Sequence, residues 1–480
     1  MNEKSSIPEL SGSEIIKATG GVLAKGNRDF LFSGLSTDSR QVLPGSLFVP
    51  LVGERFDGHD FIADALKGGA AGFLAQRSSR DKIGAGTENA VVIYVDDTLL
   101  ALGDMAHFWR KKFKASVVAI TGSSGKTTTK EMLAAIAGPV KRLVKSEGNY
   151  NNLIGLPKTV FRINALHEMA ILELGTNTRG EIRRLTTIAE PDIGLITNIG
   201  PAHLEGFKSV ATVREEKLDL FRNMPGNGIA VINVDDERLK VSGKDWRGTR
   251  ITFGIRKKAD VSAEGIDTKK MVGAAFTIGL NSMSEEITLP TVGIHNIYNA
   301  LAAAATAAAL GIDFATICRG LSEFHPVSGR MEICRLKNGA FIINDTYNAN
   351  PASFGEALKT LKDLKGKRKS TVIMGDMLEL GDQAEAMHEG IGSLMADTGV
   401  DNIYLRGRFS GATAAGALEK KFPEGRIIFF EDSDEIMDRL KSHVKKGDWI
   451  LVKGSRQARM EEVVAKIFEA FGPEEREPKK

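Results

Sequence analysis

The run Thr121-Gly122-Ser123-Ser124-Gly125-Lys126-Thr127-Thr128-Thr129 has the residue types and spacing that phosphate chemistry requires. Glycines let backbone N–H groups turn toward phosphate oxygens. A helix that starts at the lysine adds its partial positive charge. Lys126 is placed to reach the outer phosphates, and the Thr127 hydroxyl to coordinate Mg²⁺. Gly122, Ser123, Ser124, Gly125, Lys126, Thr127 and Thr128 thus read as the nucleotide-binding loop of an ATP-consuming enzyme. The strict pattern has a glycine where Ile120 stands, so the loop is a shortened variant. A plain glycine-rich turn between strand and helix is the alternative.

Three further residues could join this chemistry. Glu173 ends the apolar run Ala170–Leu174. In open α/β sheets the carboxyl ends of strands face the ligand crevice. A carboxylate there can hold Mg²⁺, a hard cation that takes oxygen ligands, or can cap the next helix. His203 follows the next apolar run, in Gly200-Pro201-Ala202-His203-Leu204-Glu205. Alone it reads as structural; beside Glu173 on one crevice edge it becomes a candidate. Lys217, in Glu216-Lys217-Leu218-Asp219-Leu220-Phe221, reads on its own as a helix-surface lysine.

These residues need a scaffold with strand ends side by side. From Val117 onward, short apolar runs alternate with helical stretches: Val117–Thr121, Met169–Leu174, Ile193–Thr197 and Gly228–Asn233 between Thr127–Ala137, Gly180–Ala189 and Val210–Asn223. That alternation predicts βαβ units and a mostly parallel sheet. Thr249–Leu289 predicts an antiparallel patch, and Asn296–Leu310 a helix on propensity. A second parallel α/β pattern begins near Pro326, with strands predicted at Phe341–Asn344, Thr371–Met374, Asn402–Leu405, Ile427–Phe430 and Trp449–Val452. Before these, Ser46–Leu51 and Val91–Val95 read as strands and Thr98–Lys112 as an amphipathic connecting helix. The expected fold class is α/β in three domains. They are a small substrate domain over 1–113, a central P-loop domain over 114–325 and a Rossmann-like domain over 326–480. Hinges are expected near Phe113 and at Phe324–Gly329.

Composition narrows the partners. Lys+Arg of 64 against Asp+Glu of 61 leaves +3, too little for a nucleic-acid or membrane-surface partner. Cys318 and Cys334 make no disulfide framework, and Met1–Leu10 is polar without a signal-peptide core, so the cytosol is expected. No run is long enough for a membrane span. The tail Pro473–Lys480 is charged and is expected to fray.

Taken in order, the motifs resemble the Mur ligases, the ATP-dependent amide-forming enzymes of peptidoglycan precursor synthesis, over essentially the whole chain. The carrying runs are Ser36–Arg40, Pro44–Val49 and Arg55–His59, then the phosphate loop, Asn149–Pro157, Glu173–Asn177 and His295–Asn299. In the third section they are Gly329-Arg330, Asp345–Ser353, Gly375–Met377 and Lys453–Arg456. Asp345–Ser353 is the most discriminating. It is similar to the branch that adds D-alanyl-D-alanine to UDP-MurNAc-tripeptide, forming UDP-MurNAc-pentapeptide.

The resemblance implies roles. Thr127 and Glu173 would hold one Mg²⁺, and His203 and a carbamylated Lys217 a second. Asn296 and Asn299 would contact adenine. Arg330 would reach the nucleotide, and Asp345 would lie at the ribose. Asn348, Asn350 and Ser353 would form the dipeptide pocket, and Ser39 and Arg40 would meet the UDP end. A carbamate forms only on a neutral amine, which Glu216 and Asp219 oppose if both face inward. ATP would activate the carboxylate as an acyl phosphate, in a monomer whose domains close on the substrates. A family member with another acceptor, a folylpolyglutamate synthase-like enzyme, or a switch NTPase without an acceptor are the alternatives.

Overall fold

The structure, a computed structural model, describes residues 8–83, 87–269 and 273–474. Residues 1–7 of the polar start, 270–272 within Thr249–Leu289 and 475–480 of the charged tail lie outside the described residues.

The first sheet contains β1 (Val22–Lys25), β2 (Leu35–Ser36), β3 (Leu47–Phe48), β4 (Gly72–Gln76) and β5 (Val91–Val95). Their spatial order is β1-β5-β4-β3-β2, parallel except at β1. β5 is a run of β-branched and aromatic residues, which suits a pleated buried surface. Helix α1 (Thr98–Arg110) follows, with the Asp97 side chain accepting from the Leu100 N–H as its N-cap.

The central sheet has nine strands. In chain order they are β6 (Ser116–Thr121), β7 (Leu143–Lys145), β8 (Met169–Glu173), β9 (Ile193–Ile196), β10 (Ile229–Asn233), β11 (Thr249–Gly254), β12 (Val261–Asp267), β13 (Ala274–Leu280) and β14 (Met283–Leu289). The spatial order is β14-β13-β12-β11-β10-β9-β6-β8-β7. Pairing is parallel from β7 to β12, and β12, β13 and β14 form an antiparallel patch that starts at Val261, because Thr249–Gly254 of the expected stretch pairs parallel on both sides. Among its helices are α2 (Lys126–Ala137), α3 (Gly155–Val160), α4 (Glu181–Ala189), α5 (Leu204–Phe207), α6 (Val210–Asn223) and α7 (Ile294–Ala309). The alanines of α7 from Ala300 to Ala305 are buried, so small side chains let this helix lie close against the sheet and α2.

The third sheet contains β15 (Glu332–Arg335), β16 (Phe341–Asp345), β17 (Ser370–Gly375), β18 (Asn402–Arg406), β19 (Ile427–Phe429) and β20 (Trp449–Lys453). Their order is β15-β16-β20-β17-β18-β19, with only β15 antiparallel. Helices α8 (Pro351–Lys365) and α9 (Ala384–Thr398) follow β16 and β17. Pro473 bridges to Leu336 and the Glu474 N–H donates to the Arg335 carbonyl at 2.8 Å, so the described start of the tail is pinned.

One core spans the first two units. Leu47, Leu74, Val91, Ile93, Leu102 and Trp109 belong to the same buried cluster as Val117, Leu156, Leu172, Leu185 and Phe221. The Trp109 indole N–H donates to the Ile163 carbonyl at 2.9 Å, buried. The hinge expected near Phe113 thus lies beside side chains that the two units bury together. The third unit has its own cores around Phe354, Val372 and Leu451, and around Ile342, Ile450 and Val464.

Candidate active site

In the parallel register Glu173 stands beside Ile120, and Ile196 beside Thr121, so the ends of β6, β8 and β9 form one edge. The phosphate loop leaves β6 at this edge. Gly125 caps α2 with φ +80, and a Cβ there would lie 2.2 Å from Asn299 Oδ1. Both backbone conformation and space require glycine. The Ser124 N–H donates to Asn198 Oδ1 at 3.0 Å, and the Thr197 hydroxyl to the Ser124 carbonyl at 2.6 Å. Lys126 Nζ curls back to the Gly122 carbonyl at 2.7 Å. Burial pushes its amine below the ordinary lysine value; Glu173 opposes this and Arg330 adds to it.

The Thr127 hydroxyl donates to Glu173 Oε2 at 2.8 Å, and Asn151 Nδ2 to Oε1 at 3.0 Å. Glu173 is buried, with Lys130 Nζ at 3.9 Å. A hydroxyl against a buried carboxylate is a hard-oxygen donor pair, which fits Mg²⁺. Among the described residues, no three His, Cys, Asp or Glu side chains converge on a metal-sized point. The remaining ligands of such an ion would come from nucleotide and water.

Lys217 is not the surface lysine that its helix suggests. It is 2% exposed, and burial, then the Lys126 charge, push its amine well below the ordinary lysine value. Glu216 opposes that shift and does face inward. Its carboxylate, however, accepts from the Gly180 and Ile182 N–H groups at 2.7 and 2.8 Å, at the start of α4. Asp219 turns aside to Arg222. His203 begins α5, and its Nδ1 meets Glu379 Oε2 of the third unit at 2.5 Å.

The other expected residues divide into two groups. Asn296, Asn299, Arg330, Asp345, Asn348, Asn350 and Ser353 line one cavity of about 780 Å³ together with Ser123–Thr128. Arg330 Nη2 donates to Thr127 Oγ1 at 2.8 Å, and its guanidinium lies 3.9 Å from the Tyr347 ring centroid. Asp345 accepts from the Met331 N–H at 3.1 Å and pairs with buried Lys453. Asn348 is exposed on the cavity wall. Ser39 and Arg40 do not line this cavity. They sit on the first unit, where Arg40 forks onto Asp38 and holds that carboxyl down at about 2.

Several polar atoms expected to meet ligands are used internally. Asn296 Nδ2 donates to Thr291 Oγ1 and the Val292 carbonyl, and Asn299 Nδ2 to Asn296 Oδ1. Asn299 Oδ1 accepts from Thr129. The pair thus ties α7 to α2 while both residues line the cavity. Asn350 and Ser353 form the capping box of α8. An Asn-Pro before an apolar-periodic run signals such an N-cap.

Sequence reasoning missed Thr197 and Asn198, which brace the loop, and Asp235. The Asp235 carboxylate accepts from the Ile255, Arg256 and Lys257 N–H groups and the Tyr298 hydroxyl, at 2.6, 2.8, 2.9 and 2.8 Å. Its only sequence signal is a carboxylate just beyond a strand end, β10.

Comparison with known proteins covers the same ground. The Mur ligase family, catalytic domain model matches residues 31–110, the Mur ligase middle domain 120–307, and the Mur ligase, glutamate ligase domain 329–456. The chain is 36% identical to the UDP-N-acetylmuramoyl-tripeptide–D-alanyl-D-alanine ligase of Bacillus subtilis, over 91% of this chain and 93% of that one. The fold superposes on MurF from Acinetobacter baumannii with a TM-score of 0.88 at 30% identity, covering 97% of this chain and 100% of that one. MurF from Thermotoga maritima, solved in complex with ADP, gives 0.80 at 28% identity, covering 91% and 97%.

Proposed function

The chain belongs to the Mur ligase family, and on that premise we propose that it joins D-alanyl-D-alanine to UDP-N-acetylmuramoyl-tripeptide, with ATP as the energy source. The observation that carries this reading is the single cavity lined by the phosphate loop and by Arg330, Asp345 and Asn348 of a separate α/β unit. A phosphate loop alone serves any NTPase. A second unit closing on it suits transfer to a bound acceptor. The name of the Bacillus relative and the ADP held by the Thermotoga structure support the same substrates.

The chemistry follows from the leaving group. The tripeptide carboxylate oxygen attacks the γ-phosphorus, and the bond to ADP breaks. The resulting acyl phosphate has stable phosphate as its leaving group. The dipeptide amine nitrogen then attacks the acyl carbon, phosphate departs and the nitrogen loses a proton. Lys126 and the loop N–H groups hold the β- and γ-phosphates, while Arg330 steadies them from the other side. Asn348, Asn350 and Ser353 on the cavity wall take the dipeptide, and Ser39 and Arg40 meet the UDP end. When bound, Mg²⁺ at Thr127 and Glu173, and a second at His203 and carbamylated Lys217, screens the charge between carboxylate and phosphate. The depressed Lys217 amine supports the carbamate, because a neutral amine is the form that reacts with CO₂.

The enzyme works on small molecules, as a cytosolic monomer with no nucleic-acid or membrane partner. No described helix is long and apolar enough to cross a membrane. An acceptor assay with radiolabelled D-Ala-D-Ala, meso-diaminopimelate and L-glutamate tests the reading. Product with the dipeptide alone is expected. Absence of that product would sink it, and ATP hydrolysis indifferent to every acceptor would indicate a switch NTPase.

A further inference from the structure

His203 and Glu379 are both non-glycine residues in left-handed backbone, at φ +51 and +62. Residues with side chains stay in that region when their surroundings fix them. Here the two fix each other across the boundary between units. His203 Nδ1 meets Glu379 Oε2 at 2.5 Å. Alongside it, the Glu205 N–H donates to the Glu379 carbonyl at 3.2 Å. Gly381, at φ +59, passes so near that a Cβ would lie 3.2 Å from Glu205 Cα. Met387 of α9 packs on Leu204, Phe207 and Val213 of the central unit.

The loop carrying Glu379 is itself fixed. The Asp376 carboxylate accepts from the Arg408 and Phe409 N–H groups at 2.8 and 3.1 Å. The Met377 N–H donates to His388 Nε2 at 3.0 Å, and the Leu378 N–H to the Ser455 hydroxyl at 2.8 Å. Glu379 is therefore presented by a loop whose preceding residues are hydrogen-bonded into the third unit.

A carboxylate at one ring nitrogen favours the proton there and leaves the other nitrogen's lone pair for a cation. The carboxylate here comes from a different unit than the ring. On the reading that His203 is a cation ligand, we propose that Glu379 is its positioning residue. Docking of the third unit sets the His203 ring with Nδ1–H toward Glu379 and Nε2 free to coordinate. Assembly of the second cation site is thereby tied to closure.

The test uses the full-length enzyme as wild type, Glu379→Ala, Glu379→Gln, His203→Gln and the double variant Glu379→Ala/His203→Gln. Long-range ¹H–¹⁵N NMR of ¹⁵N-histidine-labelled protein reads the ring tautomer, with the His203 signals assigned by their loss in His203→Gln. With ADP and Mg²⁺ the wild type should show Nδ1–H at His203, and Glu379→Ala should shift it toward Nε2–H. The half-saturating Mg²⁺ concentration should rise about tenfold to a hundredfold in Glu379→Ala. It should rise less in Glu379→Gln, whose amide oxygen still accepts, while the KM for ATP stays within about twofold. In the His203→Gln background, Glu379→Ala should add less than about twofold. An unchanged tautomer and Mg²⁺ dependence in Glu379→Ala, or additive losses in the double variant, overturns the proposal. Wild-type enzyme that makes no amide product defeats the ligase reading instead, and the tautomer measurement still decides the pair.

Discussion

Arg330 and Thr127 are 203 residues apart in the chain, yet the guanidinium donates to the hydroxyl at 2.8 Å. The contact joins the third unit to the first turn of α2, the helix that the phosphate loop opens. The guanidinium also lies over the Tyr347 ring, which fixes its plane. Arg330→Ala removes a donor at the phosphates without touching either core. A hydrogen bond to a charged group contributes about 1.5–3 kcal/mol, so the KM for ATP should rise roughly tenfold to a hundredfold. Steady-state kinetics would read this, and an unchanged KM would remove Arg330 from the nucleotide site.

Gly125→Ala should abolish nucleotide binding while leaving the fold in place. The added methyl meets the Asn299 carboxamide and must adopt φ +80. Titration with a fluorescent ATP analogue checks the first point and circular dichroism the second. Tight binding by a folded Gly125→Ala protein would contradict the close approach.

Lys217→Ala should abolish ligation, and added bicarbonate should not restore it. In the wild type the depressed amine leaves more neutral base near pH 7 than an ordinary lysine has. A ¹³C-bicarbonate NMR signal from a carbamate should therefore appear in the wild type and be missing from Lys217→Ala. A fully active alanine variant would refute the role.

Asp235→Asn tests the acid side of stability. Burial pushes the Asp235 carboxyl up, but N–H donation from Arg256 and Ile255, the Tyr298 hydroxyl and the Lys257 N–H hold it below its ordinary value. Tyr298, by burial and the neighbouring carboxylate, is pushed up to about 12. A folded-state pKa below the unfolded one adds stability that is present above the unfolded value, near 3.9, and disappears as pH falls through the folded value. Asp235→Asn should thus melt below wild type at pH 7, with the gap narrowing as the pH drops below about 4. A gap independent of pH would mean that shape, not charge, makes the knot.

What the sequence disclosed was the part written in contiguous residues. The loop at Thr121–Thr129 and the alternation of strand and helix fixed the fold class, because 3.6- and 2-residue periods are local properties. The positions of Lys126, Thr127 and Glu173 followed from the strand–turn–helix pattern and from the rule that strand carboxyl ends face the crevice. Lys217 was misread because helix periodicity gives a face but not what covers it. Asn296, Asn299, Asn350 and Ser353 line the cavity, and they also make hydrogen bonds inside the protein that the motifs do not announce. The choice between internal and external partners depends on distances of a few ångströms that spacing does not encode. Glu379 and Asp235 were missed because their partners come from distant segments.

The core that runs from Leu47 through Trp109 to Phe221 has a mechanical consequence. The face proposed for the UDP end and the phosphate loop are backed by the same buried side chains. A cavity made in that core, as by Leu102→Ala, would therefore disturb both ends of the donor site at once.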